Sequence, residues 1–392
     1  MNVCKVSFIF TLLIVITLYT MNAVVEPKVT LSETAKSFKL KHRPALVAHR
    51  GGRGVRPENT MTAMNFSYHY YKPDIMETDI HMTKDGEFIF SHDARLERTT
   101  NGTGFIRDHT LEELRSLDFG YHYTDGNVYP YRNKGIKCTT LKEVYEEFKD
   151  KNIMFSVEIK SRTVESIDRL VEYLKEMPGC EKFMCFCCAN HALSEYFKKL
   201  TNHEFCYEAS EFDVVSYIVV GMAKLSNLYY HFVPNDNRFM FAPFISIGGV
   251  DFMNKNLLEP QHTIGLETLY FTINNRQDAA ICIGKNCTGI TTDRPDMVEE
   301  LLHAITRREM QQKENYEKID SIISRDAVDI KWICETKFCL FVDAFTNIIP
   351  IPVLLSIILF IVLFFIFALI QIFFWILCCP FRLCCKKKVK KE

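Results

Sequence analysis

From Ala45 to about His303, short apolar runs alternate with amphipathic stretches, the pattern of repeated βα units. Runs with strand character fall at Ala45–His49, Ile75–Ile80, Ile153–Ile159, Phe183–Cys188, Glu204–Tyr207, Phe244–Ile247, Leu269–Ile273 and Thr288–Thr292. Helical periodicity marks Thr140–Lys149, Val164–Lys175, Ala192–Lys199 and Arg294–Leu302, and Thr140 with Glu143 forms a capping box at the first of these. This order predicts an α/β fold, a TIM (β/α)8 barrel, which commonly takes ~250 residues. The expected domain spans residues 40–308, with a long insertion between its second and third strands.

Hydrophobic segments flank the barrel. After Lys5 the run Val6–Val25 carries no charge, so residues 1–25 read as a signal peptide or a signal anchor. Met21-Asn22-Ala23 matches a small-x-small cleavage site poorly, which favours the anchor. Residues 309–347 form a polar juxtamembrane stalk, and 348–377 are free of charge. Counted only from Val353, that last run would make about 37 Å of helix, enough for a hydrocarbon core of ~30 Å. A transmembrane helix is expected. The Cys/Lys-rich tail 378–392 would then be cytosolic and the barrel luminal or extracellular. Cys378, Cys379, Cys384 and Cys385 are palmitoylation candidates. Lys388-x-Lys390-x-x resembles a retrieval signal for the endoplasmic reticulum, while a basic tail on anionic lipid would suit the plasma membrane.

Phe212–Val233 is long, mostly apolar and interrupted by Lys224. A barrel helix needs one apolar stripe only. Either this is such a helix against a partner surface, or it is a monotopic or re-entrant contact with membrane lipid, the reading favoured here. A net charge of −1 supplies no field to recruit nucleic acid, so that class of partner is excluded. The 15 cysteines show no zinc spacing, although Cys282 with Cys287, and Cys334 with Cys339, are close enough for small disulfide loops.

The chemistry concentrates between Ala45 and Asp93. An apolar run ending on His49-Arg50-Gly51-Gly52 reads as a buried strand that delivers polar groups at its C-terminal end. In Ile75-Met-Glu77-Thr-Asp79 the two carboxylates, two residues apart on a strand, share a face and repel unless a proton or cation lies between them. A hard divalent ion suits such oxygen ligands. His49 and His92 flank the pair as candidate general base and general acid. Glu158 and Lys160 likewise share a face of the third strand. Barrel sites form at the C-terminal strand ends, so these groups converge on one mouth. Such a constellation suits a phosphodiester.

His49-Arg50-Gly51, Pro57-Glu58-Asn59-Thr60, Glu77-x-Asp79, Thr83-Lys84-Asp85-Gly86 and His92-Asp93 resemble the signature of the glycerophosphodiester phosphodiesterases. The likeness continues through Arg98-Thr-Thr-Asn-Gly102-x-Gly104, Thr140-Leu-x-Glu143, Glu158-Ile-Lys160 and Gly289-Ile-Thr-Thr-Asp293-Arg-Pro295. The resemblance implies that Glu77, Asp79 and Glu158 carry Mg2+ or Ca2+, and that His49 and His92 are the acid–base pair. It implies that Arg50 and Lys160 bind the phosphate. Glu58 would orient Arg50 or reach the metal, with Asn59, Phe271 and Asn274 in support. Phe271 stands where the family usually has Trp, keeping an aromatic wall without the indole donor. His81 and His122 match no motif and are expected to be structural or exposed.

The implied reaction is metal-dependent hydrolysis of a glycerophosphodiester or lysophospholipid, releasing the head-group alcohol. The Phe212–Val233 run resembles one in the membrane-bound lysophospholipase D branch, which tips the expected substrate towards lysophospholipids. Two rivals are a same-fold lyase that stops at a cyclic phosphate, and a non-catalytic membrane adaptor.

Overall fold

A computed structural model describes residues 3–243, 252–253, 261–285 and 287–310. Eight parallel strands, β1 (Ala45–Ala48), β2 (Ile75–Met82), β4 (Met154–Ile159), β5 (Met184–Cys187), β6 (Cys206–Tyr207), β7 (Phe239–Pro243), β8 (Glu267–Phe271) and β9 (Gly289–Thr292), form the barrel. The order is β6-β5-β4-β2-β1-β9-β8-β7, and a parallel bridge from Glu208 to Phe239 completes the circle. Alternate residues point inward. Val47, Ile75, Met154, Cys185, Cys206, Phe239 and Leu269 form one interior cluster with Leu31, Ala35 and Phe38. The last three lie on or beside the short helix α2 (Glu33–Ser37), which packs on this interior cluster. Cys185 and Cys206 are bridged across β5 and β6, whereas Cys282 and Cys287 are free.

Outside the barrel lie α3 (Met61–Tyr70), α5 (Leu141–Phe148), α6 (Val164–Leu174), α7 (His191–Leu200), α8 (Glu211–Met222), α10 (Arg276–Gly284) and α11 (Pro295–Met310). The expected helices are all present, and both halves of the Thr140–Glu143 capping box are made. Most expected strands also stand within two residues of their expected places. The sixth barrel strand is an exception: it is Phe239–Pro243, while residues 244–247 lie outside the described residues.

Two features of the insertion position the site. Thr83-Lys-Asp-Gly86 is a tight turn: Gly86 N–H donates to Thr83 O at 3.1 Å, and Gly86 takes φ +78°. It folds β3 (Phe88–Phe90) back antiparallel on β2, pairing Ile80 with Phe90. The chain thereby returns to the mouth at Ser91, whose N–H donates to Asp79 O at 2.9 Å. Beyond it, Ile89, Leu96, Ile106, Leu114, Phe119 and Cys138 make a small core that fixes the insertion.

The Phe212–Val233 stretch is two helices, α8 and α9 (Ser226–Phe232), broken where Lys224 adopts φ +55°. α8 occupies the barrel-helix position between β6 and β7, and its Phe212, Val215 and Val219 form an exposed apolar stripe. The N-terminal segment forms α1 (Val3–Val24). Its last turns dock on this pair: Asn22 Oδ1 accepts from Leu228 N–H at 2.8 Å, and Tyr19 OH donates to Ala223 O at 2.9 Å. Among the described residues, no helix is long and apolar enough to cross a membrane. The expected span at 348–377, like the tail and all of the stalk beyond Met310, lies outside the described residues.

Candidate active site

The predicted polar residues converge where β1, β2, β4 and β9 end. Asp79 and Glu158 are register partners on β2 and β4, and Glu77 pairs with Ser156 two residues below. One oxygen from each of Glu77, Asp79 and Glu158 lies within 4.8 Å of the others. Burial and the Asp79 carboxylate beside it push the Glu77 carboxyl well above the usual carboxylate range. Three hard oxygens held this closely fit a divalent cation such as Mg2+ or Ca2+. Lys160 Nζ donates to Glu158 Oε2 at 2.6 Å and stands 3.1 Å from Asp79 Oδ1. Burial opposes its charge, but the two carboxylates outweigh that and hold the ammonium pKa up.

Asn59 orients Asp79 from both ends. Its Nδ2 donates to Asp79 Oδ2 at 2.9 Å and its Oδ1 accepts from Asp79 N–H at 3.3 Å. Arg50 leaves β1 in a left-handed turn (φ +51°) that aims its own N–H at Glu77 Oε2, 2.9 Å away. The two glycines that follow also take positive φ, and a Cβ on Gly52 would meet Ser67 Oγ at 2.7 Å. The Arg50 guanidinium reaches Glu58 at 3.1 Å, while its buried Nε has no hydrogen-bond partner and lies 3.7 Å from Asp79 Oδ2. Glu58 therefore stands with Arg50, and is not among the clustered metal-type oxygens.

Each candidate histidine is gripped by a carboxylate through Nδ1. His49 Nδ1 lies 2.5 Å from Asp293 Oδ1, and His92 Nδ1 lies 2.7 Å from Asp93 Oδ1. A carboxylate on Nδ1 fixes the tautomer with its proton there and leaves Nε2 for proton transfer. His49 Nε2 sits 3.9 Å from Glu77 Oε2, at the edge of the acidic trio. Asn274 holds Asp293 in turn, its Nδ2 donating to Oδ2 at 2.9 Å and its Oδ1 accepting from the Asp293 N–H at 2.9 Å. His81 is buried and donates through Nε2 to the His92 carbonyl at 3.2 Å; burial holds it at about 4, so it is neutral and structural. His122 is exposed. Phe271, 41% exposed at the end of β8, meets Phe241 of the neighbouring β7 edge-on at 6.2 Å.

The sequence reading gave no roles to Asp93, Asp293 and Arg98, although all lie inside quoted motifs. Arg98 makes a two-pronged bond to Glu58, at 2.7 and 2.8 Å, and donates through Nε to Asp93. Burial alone would raise the Glu58 carboxyl, but Arg98 and Arg50 hold it at about 2. Its folded value thus lies below its ordinary 4.5, so its contribution to stability is present above pH 4.5 and is lost as pH falls towards 2. Glu58→Gln should cost roughly 2 kcal/mol at pH 7 and much less near pH 2, as read from urea melts.

A (β/α)8 barrel carrying paired imidazole–carboxylate dyads, an acidic trio and an arginine at one mouth is chemically suited to phosphate esters. The glycerophosphoryl diester phosphodiesterase family model matches residues 49–297, and the chain belongs to that family. It is 28% identical over 264 residues to a glycerophosphodiester phosphodiesterase of Caldanaerobacter subterraneus, covering 66% of this chain and 97% of that one. A glycerophosphodiester phosphodiesterase of Bacillus subtilis is 41% identical over 119 residues, 29% of this chain and 39% of the relative. In fold it is similar to a phosphodiesterase from Oleispira antarctica solved with the product sn-glycerol-3-phosphate (TM-score 0.54, 23% identity, 69% and 99% covered). The protein is a phosphodiesterase with glycerophosphodiester phosphodiesterase homologues.

Proposed function

We propose that the protein hydrolyses glycerophosphodiesters or lysophospholipids in a divalent-cation-dependent reaction that releases the head-group alcohol. The observation that carries this reading is the pair of carboxylate-gripped imidazoles, His49 and His92, beside Arg50 and the Glu77–Asp79–Glu158 trio. The trio would hold the cation, which supplies positive charge against the phosphate oxygens. Arg50, with an unpartnered Nε, and the Lys160 ammonium add further positive charge there. One imidazole takes the proton of the glycerol 2-hydroxyl through Nε2 as that oxygen attacks phosphorus. The other gives its Nε2 proton to the leaving alcohol. The P–O bond to the head group breaks and a cyclic phosphate forms. In the second half the roles reverse, and water opens the ring.

Lysophospholipid is the favoured substrate, acted on at a membrane of the endoplasmic reticulum or cell surface. Three observations support it: the charge-free run 348–377, the exposed Leu12, Leu13 and Ile16 of α1, and the α8 stripe beginning at Phe212. An apolar helical face of this kind suits the lipid interface. Choline release from lysophosphatidylcholine in mixed vesicles, set against soluble glycerophosphocholine, tests the preference. Higher kcat/KM on the lysolipid is expected. Preference for the soluble diester would overturn it, and a cyclic phosphate as sole product by phosphorus NMR would overturn hydrolysis. Phe212→Asp with Val219→Asp should lower the rate on vesicles by roughly 100-fold or more while sparing the soluble diester, since each buried apolar side chain contributes about 1.5–3 kcal/mol and about 1.4 kcal/mol is tenfold.

A further inference from the structure

Arg98 lies outside the barrel and touches none of the acidic trio, yet it joins the two sides of the mouth. Its loop is closed by the Arg95–Phe105 bridge and by Leu96 N–H donating to Gly104 O at 3.1 Å. Leu96 and Ile106, both buried, anchor that loop in the small insertion core. The guanidinium is thereby presented as a fixed fork. Nη1 and Nη2 take both oxygens of Glu58, whose Oε1 also accepts from Arg50 at 3.1 Å. Nε takes Asp93 Oδ2, and the other oxygen of Asp93 holds His92 Nδ1. A continuous chain results: Arg50, Glu58, Arg98, Asp93, His92.

We infer that Arg98 is a positioning residue that sets His92 and Arg50 in one fixed relation, acting through Asp93 and Glu58. The inference rests on the functional reading above. Its physical basis is that catalysis needs the proton donor and the phosphate clamp in register together. Each reaches the site on a separate segment, the β3–insertion return and the β1–α3 loop. Without the fork, Asp93 and Glu58 keep one partner each and are free to swing apart. A lysine cannot replace it, because an ammonium lacks the planar set of donors that satisfies two carboxylates at once.

The test compares wild type, R98A, R98K, D93N and R98A/D93N on glycerophosphocholine with saturating Mg2+, reading kcat and KM separately. Arg98→Ala should lower kcat by roughly 100-fold, the scale of a small misplacement, and raise KM less. Arg98→Lys should recover only a minor part. In the D93N background the further loss from Arg98→Ala should shrink to about threefold, because the two residues act as one unit. Added ethylguanidine should speed R98A by roughly tenfold or more and leave D93N unmoved. R98A within threefold of wild type, full additivity with D93N, or no response to ethylguanidine overturns the inference. Should R98A fail to fold, R98K decides: a folded lysine variant at wild-type rate overturns it, and a folded slow one supports it. Wild type without turnover on either glycerophosphocholine or lysophosphatidylcholine, in Mg2+ or in Ca2+, overturns the functional reading, and this inference with it.

Discussion

His49→Ala should lower kcat by roughly 10²–10⁴-fold, the range in which positioned proton transfer contributes, while the melting curve stays close to that of the wild type. The imidazole leaves β1 at the mouth and enters no apolar cluster, so its loss opens no core cavity. Asp293→Asn should follow it most of the way. An amide on Nδ1 can offer its N–H in place of a carboxylate oxygen, which favours the other tautomer and puts the proton on Nε2. His92→Ala belongs to the same class, with one difference that makes it informative. If His92 protonates the leaving alcohol, substrates with acidic leaving groups such as p-nitrophenol should recover much of the rate in that variant. Steady-state kinetics on both substrate types settle this. Wild-type turnover in His49→Ala would remove it from the acid–base pair.

The second large effect is expected at the acidic trio. Glu77→Gln should abolish cation binding and lower turnover by on the order of 10³-fold, which corresponds to several kcal/mol of transition-state charge stabilisation. The same substitution should have the opposite effect on the apo protein. Burial and the neighbouring Asp79 raise the Glu77 carboxyl well above its ordinary value. An acid raised in the folded state loses stability for the fold as pH climbs through its ordinary range. In EDTA at pH 7, Glu77→Gln should therefore melt higher than the wild type; in Mg2+ or Ca2+ it should melt lower. Thermal melts in the two buffers check that crossing. A variant that melts lower in both would mean that Glu77 is a structural partner of the Arg50 backbone, to which it is bonded at 2.9 Å, and not a cation ligand.

Much of this site could be read from the chain because its signals are local. Glu77 and Asp79 share a strand face by the two-residue period, and so do Glu158 and Lys160. Strand ends fix where such groups emerge. The His49–Asp293 dyad escapes that logic, because its members meet across 244 residues and only barrel closure brings them together; His92 and Asp93 are neighbours, but adjacency alone does not show that the carboxylate turns back onto Nδ1. Arg98 reaches Glu58 across 40 residues in the same way. β3 was too short, at three residues, to show a period, although the Thr83–Gly86 turn that creates it was visible. The pattern alone places the sixth barrel strand at Phe244–Ile247 and not at β7, because Phe239–Pro243 ends in proline and is followed by that equally apolar run. The Phe212–Val233 run held two pieces of information, and hydropathy alone could not separate them: a barrel helix whose inner side packs, and an outer stripe that does not.

The most direct test of the account is choline release from glycerophosphocholine and lysophosphatidylcholine by the full-length, detergent-solubilised protein, stripped with EDTA and then reloaded. Silence is expected after stripping, with recovery in Mg2+ or Ca2+ and no recovery in Glu77→Gln or His49→Ala. Turnover that survives stripping, or that returns in either variant, would contradict it.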